Sequence, residues 1–164
     1  MKNLTLENIA KACNGSYHGS EAQANQEVQS IFTDSRKAAK GGLFVPIKGA
    51  RVDAHDFINQ VMEAGALATL SEKDLGETEF PYIKVESSLQ AVKDIAEFYL
   101  KQLEIPVVGI TGSVGKTSTK EMIAAVLGQK YNVLKTQGNF NNELGLPLTV
   151  FGLRAEHQIA CLLY

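Results

Sequence analysis

At 164 residues, the chain is long enough for one ordinary domain, or for one small domain and part of another. Its 45% hydrophobic and 21% charged residues predict a globular protein, and a formal net charge of -2 gives no reason to expect nucleic acid or an anionic membrane as a partner. No apolar run approaches the roughly 20 residues of a membrane span, and the amino terminus lacks a signal-peptide core, so we expect a cytoplasmic protein without membrane insertion.

The first predicted element is an amphipathic helix. Apolar residues spaced along one helical face run from Leu6 to Cys13, with Thr5 as the N-cap and Gly15 as the stop. The second cysteine, Cys161, lies far away in the sequence, and the two have no metal-like spacing. We therefore interpret both as buried free thiols rather than as a disulfide.

Short strands and helices of mixed order follow. In chain order they are a strand at 28–33, a strand at 43–47, a helix begun by Asp53 or Asp56 and ended by Gly65, strands at 66–70 and 82–85, and a helix from Ser88 to Leu103. The proline in the second strand, Pro46, favours an edge position or a bulge.

The pattern changes at about residue 104. An apolar strand at 106–110, a glycine loop, a helix through Leu127 and a strand at 131–134 follow in βαβ order, and the apolar strand is expected to be buried on both faces. The fold class is therefore α/β, with a small mixed domain at 1–103 and the start of a second domain at 104–164. About 60 residues are too few for a complete doubly wound domain.

The glycine loop reads Gly112-Ser113-Val114-Gly115-Lys116-Thr117-Ser118. A loop that leads from a strand into a helix offers converging backbone N–H groups and the positive end of the helix dipole. Its glycines let the backbone approach phosphate closely, Lys116 supplies a mobile positive charge, and Thr117 offers a hydroxyl to Mg²⁺. The alternative is a glycine turn with an ordinary surface lysine, which the flanking strand and helix disfavour. The loop therefore predicts ATP as a ligand.

The loop departs from the general motif Gly-x-x-x-x-Gly-Lys-Ser/Thr, because Ile110 stands where the first glycine would be. The form that begins at Thr111 resembles the phosphate loop of the Mur ligases and of their relative folylpolyglutamate synthase. Residues 138–147, Gly-Asn-Phe-Asn-Asn-Glu-Leu-Gly-Leu-Pro, look like the asparagine-rich loop of the Mur ligase ATP domain. Taken alone, they would more often be a turn without a ligand.

A third resemblance lies in the first half of the chain. Thr33-Asp34-Ser35-Arg36, followed by segments 42–49 and 53–58, is similar to the Mur ligase domain that binds the UDP-sugar end of the substrate. Ser35 can donate to a phosphate and Arg36 can pair with one, although a turn with a local ion pair is the commoner reason for such a sequence. Asp53, His55 and Asp56 have a spacing that favours helix capping, so we reject a metal site there.

The resemblance implies an ATP-dependent amide-forming ligase of peptidoglycan precursor synthesis. The asparagine-rich loop and Lys120-Glu121-Met122-Ile123 are most like the member that joins D-alanyl-D-alanine to UDP-N-acetylmuramoyl-tripeptide through an acyl phosphate. In that reading Lys116 is catalytic, Gly112 to Ser118 bind ATP, and Thr117 holds Mg²⁺ through ATP. The expected substrate-binding residues are Thr33, Ser35, Arg36, Asn139 and Asn142.

The resemblance also implies that parts of the enzyme are missing. The family's ATP domain continues well beyond residue 164, and a third domain helps to bind nucleotide and amino acid. We therefore expect an amino-terminal fragment that is inactive in catalysis. The alternatives are the diaminopimelate- or lysine-adding Mur ligase, a phosphate-loop kinase or NTPase, and a non-catalytic nucleotide or UDP-sugar binding module. The third residue of the peptide substrate and the oligomeric state stay open.

Overall fold

A computed structural model describes residues 1–164, which fall into two compact units, Met1–Ile95 and Ala96–Tyr164. The division lies inside one long helix, Ser88–Leu103. The sequence predicted a boundary between two domains after residue 103. A division into compact units does not test whether each part is a domain, so that boundary stays a prediction. None of the helices combines the length and the apolar character that crossing a bilayer demands.

The first unit contains a five-stranded sheet and short helices. Its helices are α1 (Leu6–Ala12), α2 (Glu21–Ala24), α3 (Ile58–Glu63) and the first half of α4 (Ser88–Leu103). Its strands are β1 (Ser16–His18), β2 (Ile31–Phe32), β3 (Leu43–Phe44), β4 (Ala68–Ser71) and β5 (Tyr82–Lys84). The strand order is β1-β5-β4-β3-β2, and only β1 is antiparallel to its neighbour.

The position of Pro46 differs from the sequence prediction. The strand β3 pairs with β2 on one side and β4 on the other, so the expected edge position is wrong. The strand ends at Phe44, and Pro46 lies beyond the paired residues, where its missing N–H removes no ladder hydrogen bond.

Helix α1 begins at the predicted N-cap, but the residue with left-handed backbone at its end is not the predicted one. The Oγ1 atom of Thr5 accepts a hydrogen bond of 3.1 Å from the backbone N–H of Asn8. At the other end, Asn14 rather than Gly15 takes the left-handed conformation, with φ of 53°. Gly15 serves packing instead, because a Cβ atom there would stand 2.6 Å from the side chain of Ile83.

A small aromatic cluster anchors the end of β2. The rings of Phe32 and Phe44 stack with centroids 5.6 Å apart, and they pack with Ile58 and Val61 of α3. The segment 33–36 therefore leaves a strand whose last residue is held in the core.

The second unit is a three-stranded parallel sheet with helices. Its elements are β6 (Val107–Ile110), α5 (Lys116–Leu127), β7 (Val133–Lys135), α6 (Gly145–Val150) and β8 (Ile159–Leu163). The strand order is β6-β8-β7, and all five residues of β8 are buried. Both cysteines of the chain are free and buried, as predicted.

Strand β6 is less buried than its apolar sequence predicts. Val107 is 37% exposed and Gly109 is exposed, while Ile110 is buried. The expectation of burial on both faces is therefore wrong for this strand. It has β8 as its only sheet neighbour, and α5 packs on the sheet through a cluster that includes Ile110 and Ala124.

Candidate functional site

Three chain segments meet at one edge of the second unit's sheet. Since β6, β7 and β8 are parallel, their carboxyl ends share that edge. The segment 111–115 follows β6, the asparagine-rich segment 138–147 follows β7, and Tyr164 follows β8. In open α/β sheets, ligands bind at the carboxyl ends of the strands. This edge is therefore the candidate site of the second unit.

The glycine loop has an irregular backbone that depends on two glycines. Gly112 and Gly115 have φ angles of 144° and 77°, a region that residues with a Cβ atom rarely adopt. Nothing lies within 4 Å of the position that a Cβ atom of Gly115 would take, so the glycine is required by the backbone conformation and not by crowding.

Helix α5 begins at the end of this loop without a side-chain cap. Its N-cap is Gly115, and the first helical residue is Lys116. The first N–H groups of a helix have no partner within the helix, and the helix dipole places partial positive charge there. The side chains of Ser113, Thr117 and Ser118 are exposed beside these donors. The arrangement can hold a polyanion with backbone N–H groups and hydroxyls.

The ammonium group of Lys116 contacts a backbone oxygen and a side-chain amide, and no acidic side chain. Its Nζ atom donates to the backbone oxygen of Tyr164 at 3.0 Å. The side-chain amide of Asn141 is oriented so that both its oxygen and its nitrogen have hydrogen-bond partners. Its oxygen accepts from Lys116 Nζ at 3.1 Å, and its amide nitrogen donates to the carbonyl of Asn139 at 2.6 Å. Because no Asp or Glu side chain pairs with this lysine, its ammonium group can turn to a bound phosphate without leaving an acidic side chain unpaired.

The asparagine-rich loop uses its side chains in different ways. The Oδ1 atom of Asn142 accepts from the backbone N–H of Gly145 at 2.6 Å, so it supports the start of α6. Asn139 offers its backbone carbonyl to both the N–H and the side chain of Asn141. The residue that reaches Lys116 is Asn141, which the sequence did not distinguish from its neighbours, since nothing in a run of asparagines says which one faces the lysine.

The candidate substrate residues of the first unit surround a short 3₁₀ turn, Ser35–Lys37. Asp34 caps the turn and also accepts two hydrogen bonds from the guanidinium of Arg36, at 3.0 and 2.8 Å. These bonds from Arg36 lower the pKa of Asp34 to about 2. Thr33 and Ser35 are partly exposed beside it. The turn thus presents a guanidinium that is 87% exposed at its side chain, together with two hydroxyls.

His55 is held in a structural network. Its Nδ1 atom lies 2.6 Å from Asp53 Oδ1, and its Nε2 atom accepts from the backbone N–H of Glu72 at 3.0 Å. The backbone and side-chain hydrogen bonds from His55 hold the pKa of Asp53 well below its usual range, and Lys73 adds to this effect. Asp53 also caps the 3₁₀ turn Ala54–Phe57. Of the two predicted capping residues, Asp53 and Asp56, the cap is therefore Asp53. Both ring nitrogens of His55 are therefore already engaged.

Comparison with protein families identifies the lineage of the chain. Residues 27–110 match the Mur ligase family, catalytic domain, and residues 110–162 match the Mur ligase middle domain. This chain belongs to the Mur ligase family. The family predicted from the phosphate loop, the asparagine-rich segment and residues 33–36 is thereby confirmed.

Individual relatives of this Mur ligase chain agree. The UDP-N-acetylmuramoyl-tripeptide–D-alanyl-D-alanine ligase of Bacillus subtilis is 41% identical over 160 residues, which make up 96% of this chain and 35% of that protein. A crystal structure of MurF from Acinetobacter baumannii is similar with a TM-score of 0.87 and 34% identity, covering 97% of this chain and 35% of that one.

A relative with a bound nucleotide is also known. MurF ligase from Thermotoga maritima, solved in complex with ADP, is similar with a TM-score of 0.75 and 36% identity, over 83% of this chain and 32% of that one. The present chain thus spans about a third of the length of the relatives that it matches. The α/β fold predicted from the sequence is confirmed by these structures.

Proposed function

We propose that this chain holds ATP and a UDP-sugar peptide as part of a ligase that joins D-alanyl-D-alanine to UDP-N-acetylmuramoyl-tripeptide. The observation that carries the proposal is the glycine loop between β6 and the uncapped start of α5, with the ammonium of Lys116 beside it and paired with no acidic side chain. The names of the D-alanyl-D-alanine ligases that align with nearly the whole chain support the choice of substrates.

ATP binding follows from the chemistry of the loop. Backbone N–H groups from Gly112 to Ser118 donate to phosphate oxygens, and the dipole of α5 favours the negative charge. Lys116 exchanges its acceptors on Tyr164 and Asn141 for the outer phosphates, with which it forms a charge-assisted pair. In this proposal Lys116 is the catalytic residue, because it contacts the phosphoryl group that is transferred.

The side chains near the loop offer too few metal ligands to bind a magnesium ion alone, but they fit one that is bound to ATP. The chain has no group of three His, Cys, Asp or Glu side chains arranged to hold a metal ion by themselves. Thr117, in the first turn of α5, has an exposed side chain and offers one hydroxyl ligand, with the remaining ligands from phosphates and water. When bound, Mg²⁺ neutralises charge on the phosphates.

The proposed reaction activates a carboxylate. The terminal carboxylate of the tripeptide attacks the γ-phosphorus of ATP, which releases ADP and forms an acyl phosphate. The amine of D-alanyl-D-alanine then attacks the acyl carbon, loses a proton, and phosphate leaves as the amide forms. The residues described here contribute positioning and charge stabilisation, with Lys116 placed against the transferring group.

The first unit is proposed to hold the UDP-sugar peptide. Arg36 would exchange the carboxylate of Asp34 for the diphosphate, while Thr33 and Ser35 donate from their hydroxyls. Asn139 and Asn142 are proposed substrate contacts of the asparagine-rich loop, Asn142 through the amide nitrogen that its capping bond leaves free. We place the UDP-sugar domain at residues 1–103 and the ATP domain from residue 104 onward, in the cytoplasm, where ATP is available.

Calorimetric titration of the chain with ADP and ATP tests the nucleotide site. Lys116→Met should weaken ADP binding by about 10- to 100-fold, the effect of losing one strong charge-assisted hydrogen bond. The matched control is Lys101→Met, which removes an exposed lysine of α4 and should leave binding unchanged. Equal binding by both variants would refute the assignment of Lys116.

Two further assays address the substrates. UDP-N-acetylmuramoyl-tripeptide should bind the chain, and Arg36→Gln should weaken that binding about tenfold. Incubated with ATP, UDP-N-acetylmuramoyl-tripeptide and D-alanyl-D-alanine, the 164-residue chain should release no ADP beyond the background, because it spans only about a third of its relatives. Coupled release of ADP and ligation product would show that this span suffices for catalysis.

A further inference from the structure

Lys120 is a fully buried lysine next to the candidate nucleotide site. It lies in α5 one helical turn after Lys116, and none of its surface is exposed. Burying an ammonium group is costly unless hydrogen bonds and opposite charge compensate it. The groups that compensate Lys120 are therefore held in fixed positions relative to α5.

Two of those groups are backbone carbonyls where the chain enters the asparagine-rich loop, and the third is a carboxylate of α5. The Nζ atom of Lys120 donates to the carbonyl of Thr136 at 2.5 Å and to the carbonyl of Gly138 at 2.8 Å. It also pairs with Glu121 Oε1 at 3.0 Å. Lys120 thus joins α5 to the segment 136–138, through which the chain leaves β7.

The base of the loop is held from its other side as well. The backbone N–H of Thr136 donates to Cys161 at 3.0 Å, and the Thr136 hydroxyl accepts from the N–H of Leu163 at 3.0 Å. Beyond this anchored base the chain turns at Gly138, whose φ is 54°, and reaches Asn141, which contacts Lys116. A continuous set of contacts therefore runs from Lys120 through the loop and back to Lys116.

We propose that Lys120 is a positioning residue for the phosphate-binding lysine. By binding the carbonyls of Thr136 and Gly138, it determines where the loop presents Asn141, and so where Lys116 is held before nucleotide arrives. The affected ligands are nucleoside di- and triphosphates, since Lys116 acts on the outer phosphates, whereas a monophosphate does not need it. This inference rests on the proposed nucleotide site.

The test compares Lys120→Met with Lys135→Met. Lys135 contacts Glu121 as Lys120 does, but it forms no hydrogen bond to a loop carbonyl, so its variant is matched for the charge lost and for the carboxylate partner. Lys120→Met should weaken ADP binding about tenfold and change AMP binding less than about twofold, whereas Lys135→Met should leave both unchanged.

Amide hydrogen exchange gives a second readout that requires no nucleotide. In Lys120→Met the amides of residues 138–142 should exchange faster, while those of β6 and β8 keep their protection. A purely structural role would lower protection throughout the second unit instead. If the variant binds ADP like the wild type and its loop amides exchange at the wild-type rate, the proposal is wrong.

Two other outcomes are also decisive. If the wild-type chain binds no ADP, the proposed nucleotide site is wrong. Amide hydrogen exchange of residues 138–142 in Lys120→Met then still decides whether Lys120 positions the loop. If Lys120→Met does not fold, NMR of the wild type takes its place. The ammonium protons of Lys120 should then exchange far more slowly than those of Lys101, whose side chain is 73% exposed. Equally fast exchange would show that the buried contacts do not exist in solution and would overturn the proposal.

Discussion

Gly145 lies so close to Phe140 that a Cβ atom at position 145 would stand 2.4 Å from the Phe140 carbonyl oxygen. Gly145 is the first residue of α6 and is buried, and its N–H donates to both the carbonyl and the side chain of Asn142. The asparagine-rich loop therefore folds back on its own helix, and only a residue without a side chain permits that approach.

Gly145→Ala should therefore displace the loop. The added methyl group meets backbone rather than a mobile side chain, so we expect the free energy of unfolding to fall by about 1–3 kcal/mol. Urea denaturation measures this loss. The control is Gly76→Ala, where φ is 65° and no atom lies within 4 Å, so only backbone strain of about 1 kcal/mol applies. An equal loss in both variants would argue against the close contact.

Tyr99 provides a second prediction, within the second unit. Its buried hydroxyl donates to the carbonyl of Leu153 at 2.5 Å, and Arg154 donates to the same carbonyl at 2.8 Å. Tyr99→Phe should lower the free energy of unfolding by only about 1 kcal/mol, because the carbonyl keeps one partner. Tyr131→Phe, at a residue that is 36% exposed, should have no measurable effect in the same denaturation experiment.

The same tyrosine makes stability depend on alkaline pH. Burial raises the pKa of Tyr99 above its ordinary value. The unfolded phenol therefore ionises first, so this contribution is complete below about pH 10 and is lost as pH rises further. Tyr99→Phe should flatten the stability curve above pH 10. An unchanged slope would mean that the phenol titrates normally in the folded protein.

Asp34 should remain ionised in acid. Its hydrogen bonds with Arg36 lower its pKa to about 2, so the stabilisation is present above about pH 4, where the unfolded carboxyl is ionised, and disappears as pH falls towards 2. NMR titration of the side-chain carboxyl should show this value, and Arg36→Gln should return it towards about 4. If Arg36 moves to a bound diphosphate, saturation with the UDP-sugar peptide should also raise it.

The two cysteines should be unreactive in the folded chain. Burial raises the pKa of Cys13 to about 11, so almost no thiolate of Cys13 exists near pH 8. Burial also raises the pKa of Cys161. Alkylation by iodoacetamide at pH 8 should therefore be at least about 100-fold slower than in denaturant, where both thiols are exposed. Rapid modification of either residue without denaturant would contradict its burial.

Local features of the chain were readable from the sequence because they depend on neighbouring residues. The spacing of apolar residues predicted α1, α3, α4 and α5, but not the short helices α2 and α6. Thr5 was predicted as a cap, Asp53 was one of two predicted alternatives, and the glycine loop with Lys116 indicated phosphate binding. A motif of this kind depends only on the backbone conformations and side chains of seven consecutive residues, so no distant contact is needed to recognise it.

Several decisive features depend instead on residues that are distant in sequence. A lysine in an amphipathic helix is normally expected in solvent, yet Lys120 is buried because carbonyls 16 and 18 residues away receive it. Likewise, only the packed loop distinguishes Asn141, which contacts Lys116, from Asn142, which supports α6. The sequence by itself determined the chemistry of the candidate site and its family. The tertiary structure decided which side chains meet there, since burial and pairing are set by the strands and loops that long-range contacts bring together.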